Sequence, residues 1–268
     1  MRTKLSIICL NCFGSPLSFN WRVRLKLLAD QLNTLNPDII CLQEIFTRGQ
    51  REILLGILAK SYNRYSSEVV NMSRGGLITF VKKDIKLDEY HFKKYKNQGS
   101  IFTLAITDRM AGKGIQNLNL SFSDKALTIV NTHLLCLYGG NKTDINDHKK
   151  QTQQLISYLI EYKSNLVLCG DINIFPTDSI LSEIKTTLNV RENLPSNSIT
   201  VSPDNLNRGT ILNHFGDGKP YRTDYTLVSK LLGIVKQEII LNDPVKYNGK
   251  DYNLSDHYGV YTEIEFQK

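Results

Sequence analysis

Near the C-terminus the chain reads Leu254-Ser255-Asp256-His257. A carboxylate beside an imidazole is common. Here it accompanies four other polar islands, each closing an apolar run: Asn11 after LSIICL, Glu44 after DIICLQ, His133 after LTIVNT, and Gly170-Asp171-Ile172-Asn173 after NLVLC. A fifth island, Thr223-Asp224-Tyr225, opens the run TLVS. Carboxylates, amides and imidazoles at the ends of strand-like segments suit a divalent cation and a phosphate ester. A hard cation takes oxygen ligands and uses one or two carboxylates, and imidazole titrates near neutral pH. Glu44 follows a buried run, where an unpaired carboxylate is costly, so it needs a cation or several donors. Asp171 and Asn173 lie two apart. If the strand continues through them they share one face and can grip one phosphate or its attacking water. Gly170 lets a backbone approach closely. A carboxylate on the second ring nitrogen of His257 would fix its tautomer and raise its basicity.

The spacing predicts the elements that position these groups. Residues 4–12 read as a buried strand. Residues 21–35 read as a helix with Val23, Leu27, Leu28, Leu32 and Leu35 at helical intervals, stopped by Pro37. A second buried strand covers 38–42, and a helix 48–60. Strands follow at 77–81, 101–106, 115–122 and 126–131, then a long helix at 145–162, a strand at 165–169 and a short helix at 178–188. Strands at 225–229, 234–241 and 258–266 close the set. Strands outnumber helices, and several hairpin-like spacings do not fit a parallel series. The expectation is an α/β fold, a sandwich of mixed sheets flanked by helices, in one domain over residues 1–268.

Composition sets limits on the class. Of 268 residues, 41% are hydrophobic and 22% charged, as in an ordinary globular protein. The net charge of +7 favours a phosphate-bearing partner, although Lys is spread evenly along the chain. The five cysteines, at 9, 12, 41, 136 and 169, sit mostly in apolar runs, which suggests reduced thiols and a cytoplasmic or otherwise reducing compartment. Cys9 and Cys12, three apart in a strand, should point to opposite faces and serve the core. Asn11 interrupts the first apolar stretch too early for a signal peptide, and no stretch approaches a membrane span. His91, His148 and His214 lie in polar contexts and are expected on the surface.

Taken in order, Asn11, LQE (42–44), GGL (75–77), NTH (131–133), GDIN (170–173), TDY (223–225) and SDH (255–257) resemble the endonuclease/exonuclease/phosphatase superfamily of metal-dependent phosphoesterases. The resemblance runs from residue 4 to about 263 and implies a four-layer α/β/β/α sandwich with two mixed β-sheets. It implies Mg²⁺, or Mn²⁺ in its place, held by Glu44 with Asn11 and Asp256. It assigns Asp171 to the attacking water, Asn173 and His133 to the phosphoryl oxygens, and Asp224 to the orientation of His257. Either Asp171 or His257 is the base. Tyr138, five residues after His133, and Lys113-Gly114 before a strand resemble neutral sphingomyelinases; Lys113 and Arg74 are cations able to hold a phosphate. The expected function is hydrolysis of a phosphodiester, a phospholipid head group first, by a monomer. The alternatives are a DNA or RNA nuclease, a phosphoinositide or inositol-phosphate phosphatase, and, more remotely, a non-catalytic binding module.

Overall fold

A computed structural model of the chain describes residues 3–14, 18, 20–102, 105–137, 142–202 and 220–266. From the N-terminus, β1 (Lys4–Asn11) leads through α1 (Trp21–Leu35) to β2 (Ile39–Gln43), then α2 (Arg48–Leu58) and β3 (Tyr62–Tyr65). A small hairpin of β4 (Glu68–Val69) and β5 (Met72–Ser73) precedes β6 (Ile78–Lys82) and β7 (Lys86–Lys94). α3 (Ala105–Ala111), β8 (Gly114–Phe122), β9 (Lys125–His133), α4 (Lys142–Leu159), β10 (Leu166–Asp171) and α5 (Ser179–Thr187) follow. The last part comprises β11 (Val190–Arg191), β12 (Asp224–Ser229), β13 (Leu232–Ile240), a hairpin of β14 (Val245–Tyr247) and β15 (Lys250–Tyr252), and β16 (Gly259–Phe266).

Two six-stranded mixed sheets result, in the orders β13-β16-β1-β2-β6-β3 and β11-β12-β10-β9-β8-β7. Period-2 alternation explains how they pack. In β1, Leu5, Ile7 and Cys9 join the apolar layer between the sheets, with Leu118, Ile129, Val167, Cys169 and Val228 from the second sheet. Ile8 and Leu10 turn the other way, onto Leu25, Leu28 and Leu32 of α1 and Leu54 and Leu58 of α2. On the outer face of the second sheet, Leu166, Leu168 and Leu227 pack against Leu155 and Leu159 of α4 and Leu181 and Ile184 of α5. The layers are therefore α/β/β/α, as expected. Cys9 and Cys12 face different layers, and all five cysteines are free. Among the described residues no helix is long and apolar enough to cross a membrane.

Three expectations fail. The apolar run at 101–106 is not a strand: Ile101 and Phe102 lie in an exposed turn, and α3 begins at Ala105. Apolar content there reflects surface rather than core. The strand at 86–94 is not visible in the sequence pattern, because KLDEYHFKK lies at a sheet edge with six of its nine residues exposed, and a bulge between Leu87 and Glu89 breaks its alternation. His148 is buried, not on the surface; its Nε2 lies 3.1 Å from the Ile172 carbonyl oxygen. His91 is exposed as expected, and His214 lies outside the described residues.

Candidate active site

The same alternation that packs the core also builds the site. Asn11 continues the inward line Leu5, Ile7, Cys9. Asp171 continues Val167, Cys169, and His133 continues Leu127, Ile129. Register then sets them side by side. Asp171 pairs with His133 across the parallel β9–β10 ladder and with Asp224 across the antiparallel β10–β12 ladder, so the three share one rung. Gly170 permits this closeness, since a Cβ there would lie 2.1 Å from the Thr132 carbonyl oxygen. Asn11 pairs with Gln43, which places Glu44 at the adjoining strand end.

Asp171 is the hub of the arrangement. Its Oδ2 accepts from Asn11 Nδ2 at 3.1 Å and lies 3.5 Å from His133 Nε2 and 4.0 Å from His257 Nε2. Its Oδ1 accepts the Asn173 backbone N–H at 3.1 Å. The strand ends at Asp171, and Asn173 adopts a left-handed φ of 51°. The two side chains therefore do not share a strand face as expected; a tight turn folds Asn173 back, and its Nδ2 donates to the Leu134 carbonyl oxygen at 3.0 Å. His257 Nδ1 meets Asp224 Oδ2 at 2.8 Å, the carboxylate–imidazole pairing expected for these two motifs. Thr200 Oγ1 accepts from the Asp224 backbone N–H at 3.2 Å and steadies that end of β12.

Glu44 also occupies the left-handed region, at φ 60°, a costly conformation for a side-chain-bearing residue that the surroundings must impose. The Ile45 N–H donates to the Gly76 carbonyl oxygen, and Thr47 and Gln50 close a capping box at the start of α2. Gly76 of the GGL motif, at φ 66°, is tied to this corner. A Cβ there would lie 2.6 Å from the Phe46 ring and 3.0 Å from the Glu44 Cα. Asn11 Nδ2 donates to Glu44 Oε1 at 3.0 Å, while its Oδ1 accepts the Phe13 N–H.

Electrostatics separate the roles these groups can take. Burial and the neighbouring Asp256 push the Glu44 carboxyl up to about 7. Burial likewise raises Asp256. Two desolvated carboxylates that disfavour each other's charge are a donor set a divalent cation would relieve. Asn11 turns its amide nitrogen to Glu44, so its oxygen can serve a cation only if the amide rotates and gives up Phe13. Burial opposes charge on Asp171, but His133, His257 and Lys113 outweigh it and hold its pKa below the ordinary value. Burial works against His257 carrying charge, yet Asp224, Asp256 and Asp171 raise its pKa well above the usual one. Burial, with Lys113, depresses His133 to about 3, so its ring is neutral. Asp171, Asp224 and His257 also have ligand atoms all within 4.8 Å of one another. Because Asp224 Oδ2 is already engaged by His257 Nδ1, that trio better suits a proton and a developing charge than a second cation.

The remaining candidates are placed differently from one another. Lys113 is fully buried. Its Nζ donates to the Leu134 carbonyl oxygen at 2.8 Å and pairs with Asp108 at 3.1 Å, so it acts on Glu44, Asp171 and His133 through its field. Arg74 is exposed beside Gly75 and Gly76, its backbone tied by an N–H donated to the Ser67 carbonyl oxygen. Tyr138 lies outside the described residues.

Two features escaped the sequence reading. Arg24 is buried beneath the site, donating to the Cys12, Phe13 and Leu254 carbonyl oxygens, and so clamps the loop after Asn11 to the loop carrying Asp256 and His257. Its place on one line with Leu28 and Leu32, at intervals of four, was the available signal. Gln43 Nε2 donates to Asn131 Oδ1 at 2.8 Å, and Asn131 donates to the Leu42 and Ile78 carbonyl oxygens, which joins the sheets under the site.

A profile of the Endonuclease/Exonuclease/phosphatase family matches residues 9–257. The chain belongs to this family. It is therefore placed among proteins named for the hydrolysis of phosphate esters. Over 183 residues it is 28% identical to sphingomyelin phosphodiesterase 2 of Homo sapiens, a match that covers 65% of this chain and 42% of the human protein. The chain thus spans less than half the length of that relative. Solved structures that share its fold include the following two. D. rerio TDP2, complexed with single-strand DNA product, superposes with a TM-score of 0.72 at 19% identity, over 98% of this chain and all of that one. Beta toxin from Staphylococcus aureus, with bound magnesium ions, gives 0.68 at 19% identity, over 99% of this chain and all of that one.

Proposed function

We propose that the chain is a Mg²⁺-dependent phosphodiesterase that cleaves a phospholipid head-group ester of the sphingomyelin type, with Mn²⁺ able to replace Mg²⁺. The observation that carries the reading is the convergence on Asp171 of Asn11, His133 and His257, with Asp224 behind His257 at 2.8 Å. Glu44 and Asp256 would hold the cation, with Asn11 beside them; when bound it neutralises charge on the phosphoryl group. Asp171, held ionised, orients the attacking water and accepts its proton at Oδ2. His257, held cationic by Asp224 and with its Nε2 4.0 Å from the same Oδ2, stabilises negative charge that grows on the phosphoryl oxygens. Neutral His133 donates from one ring nitrogen to such an oxygen. Asn173 joins it once its amide leaves the Leu134 carbonyl. Arg74 contacts the substrate from the rim, Tyr138 is a substrate contact on its resemblance alone, and the buried Lys113 adds positive potential from below.

The lean towards a phospholipid rests on the identity with sphingomyelin phosphodiesterase 2 and on the Lys113-Gly114 pair. The net charge of +7 favours a second reading, a nuclease. A hydrolysis panel at fixed Mg²⁺, covering sphingomyelin, bis-p-nitrophenyl phosphate, p-nitrophenyl phosphate, phosphoinositides, DNA and RNA, decides between them. Release of phosphocholine in preference to the others supports the reading. Rapid cutting of DNA at low salt with sphingomyelin untouched sinks it, because a protein tracking a nucleic acid loses affinity steeply as salt rises and an enzyme gripping one phosphate does not.

A further inference from the structure

The exposed apolar side chains of this molecule are unevenly placed. Single exposed apolar residues are normal on any surface. Here the three most exposed, Val70 at 90%, Phe102 at 90% and Met110 at 78%, all stand on segments at the end of the sandwich that carries the site. Topology puts them there. Val70 is at the tip of the β4–β5 hairpin, which joins the end of β3 to the start of β6, and Ile78 of β6 pairs with Leu42, two residues before Glu44. Ser73 of that hairpin donates to the Phe46 carbonyl oxygen. Phe102 and Met110 lie between the end of β7 and the start of β8, where Ile115 pairs with Thr132, the neighbour of His133. On a third side of the mouth, exposed Phe175 follows Asn173 and meets Tyr221 edge-on at 5.7 Å. At the opposite pole the exposed apolar residues, Leu35, Ile160 and Leu231, reach 44%, 42% and 55%.

Charge on the same segments is one-sided. Across 66–76 and 93–113, Arg74, Lys93, Lys94, Lys96 and Arg109 are exposed. Of the two carboxylates there, Glu68 is engaged by Arg64, and Asp108 is buried against Lys113. Aliphatic and aromatic tips on separate protrusions, set among cations, are matched to a surface with an apolar interior and an anionic face. A strand of nucleic acid would use the cations but leave Val70 and Met110 in water, since its recognition rests on phosphate contacts and base stacking.

We infer that this rim, through Val70, Phe102 and Met110 with the surrounding Lys and Arg, seats the protein on an anionic phospholipid bilayer with the site mouth facing the lipid. The inference rests on the proposed phospholipid reading for its biological sense but not for its test. Binding is measured by co-sedimentation in EDTA, so that no turnover alters the vesicles, using phosphatidylcholine vesicles with and without phosphatidylserine. The parent is compared with V70S/F102S/M110S, none of which touches the site residues. The expected results are parental binding that strengthens with phosphatidylserine and weakens with salt, and a loss of at least about tenfold in the triple variant. Turnover of soluble bis-p-nitrophenyl phosphate should stay within about twofold, which shows that the variant is folded.

Parental protein that stays in the supernatant at every lipid composition overturns the inference. So does a triple variant that binds within about twofold of the parent. If the variant instead loses affinity for a single-stranded oligonucleotide and keeps its vesicle binding, the rim belongs to nucleic acid and the inference is wrong. Sphingomyelin presented in detergent micelles tests the substrate reading separately. Failure there with vesicle binding intact removes the substrate and leaves the docking surface.

Discussion

Replacing Glu44 with Gln tests the reasoning about the cation most directly, because it keeps the shape and removes the charge. Burial and Asp256 move the Glu44 carboxyl from the ordinary 4.5 to about 7. Between those values the metal-free folded protein holds a proton that the unfolded chain has released. The folded state then binds more protons, so stability falls as pH rises through this window and levels off above it. At about 1.4 kcal/mol per pH unit the displacement corresponds to at most about 3 kcal/mol. In EDTA at about pH 8, Glu44→Gln should therefore be more stable than the parent by about 1–3 kcal/mol, a rise in Tm of roughly 2–5 °C for a chain of this size. Near pH 4.5 the two should coincide. The Asn11 amide can still donate to a Gln oxygen, so no hydrogen bond need be lost. Added Mg²⁺ closes or reverses the gap: at a hundredfold excess over Kd the parent gains roughly 2.7 kcal/mol, and the variant gains little. Calorimetry at the two pH values, with and without Mg²⁺, reads all four quantities. A variant less stable than the parent in EDTA at pH 8, or equally stabilised by Mg²⁺, would refute the assignment of Glu44 to the cation.

Other predictions follow from the same geometry. His257→Ala should lower kcat at least ~10²-fold with the fold intact, and Asp224→Asn should add little to that loss, because the pair joined at 2.8 Å acts as a unit; fully additive losses in the double variant would separate them. Removing metal with EDTA should abolish phosphodiester hydrolysis and Mg²⁺ should restore it, which full activity of the stripped protein would contradict. Gly170→Ala should destabilise by at least about 3 kcal/mol, since its Cβ meets the Thr132 carbonyl oxygen at 2.1 Å; a Tm within a degree of the parent would show that β9 and β10 part easily. Arg24→Met removes a donor from the carbonyl groups of Cys12, Phe13 and Leu254, of which Phe13 keeps only the Ser18 hydroxyl at 3.4 Å, each group left unsatisfied costing about 1–3 kcal/mol. It should also weaken Mg²⁺ binding, measured by titration calorimetry on whatever folded protein remains.

Much of this protein is determined locally. The buried strands and amphipathic helices follow from periodicities of two and about 3.6, and the site residues announce themselves as polar groups closing apolar runs. The alternation that sends Cys9 and Cys169 between the sheets also sends Asn11 and Asp171 there, so the inward aim of the site was legible before any fold was known. The pairing of His257 with Asp224 came from motif resemblance, and the structure brings the two into contact. Other decisions needed contacts that no local periodicity encodes. Asn173 leaves the strand because Asp171 Oδ1 and the Leu134 carbonyl capture it in a turn, an outcome spacing alone does not encode. Lys113 looks like a free cation in sequence; only folding supplies Asp108 and a carbonyl to bury it. His148, in a polar stretch, is buried because α4 crosses the turn after β10. Ile101 and Phe102 read as core and lie in solvent, in the turn between β7 and α3 rather than in either sheet. Sequence pattern reports which residues prefer to leave water; which of them succeed, and which charges go with them, is settled by the register and packing of segments that only the fold brings together.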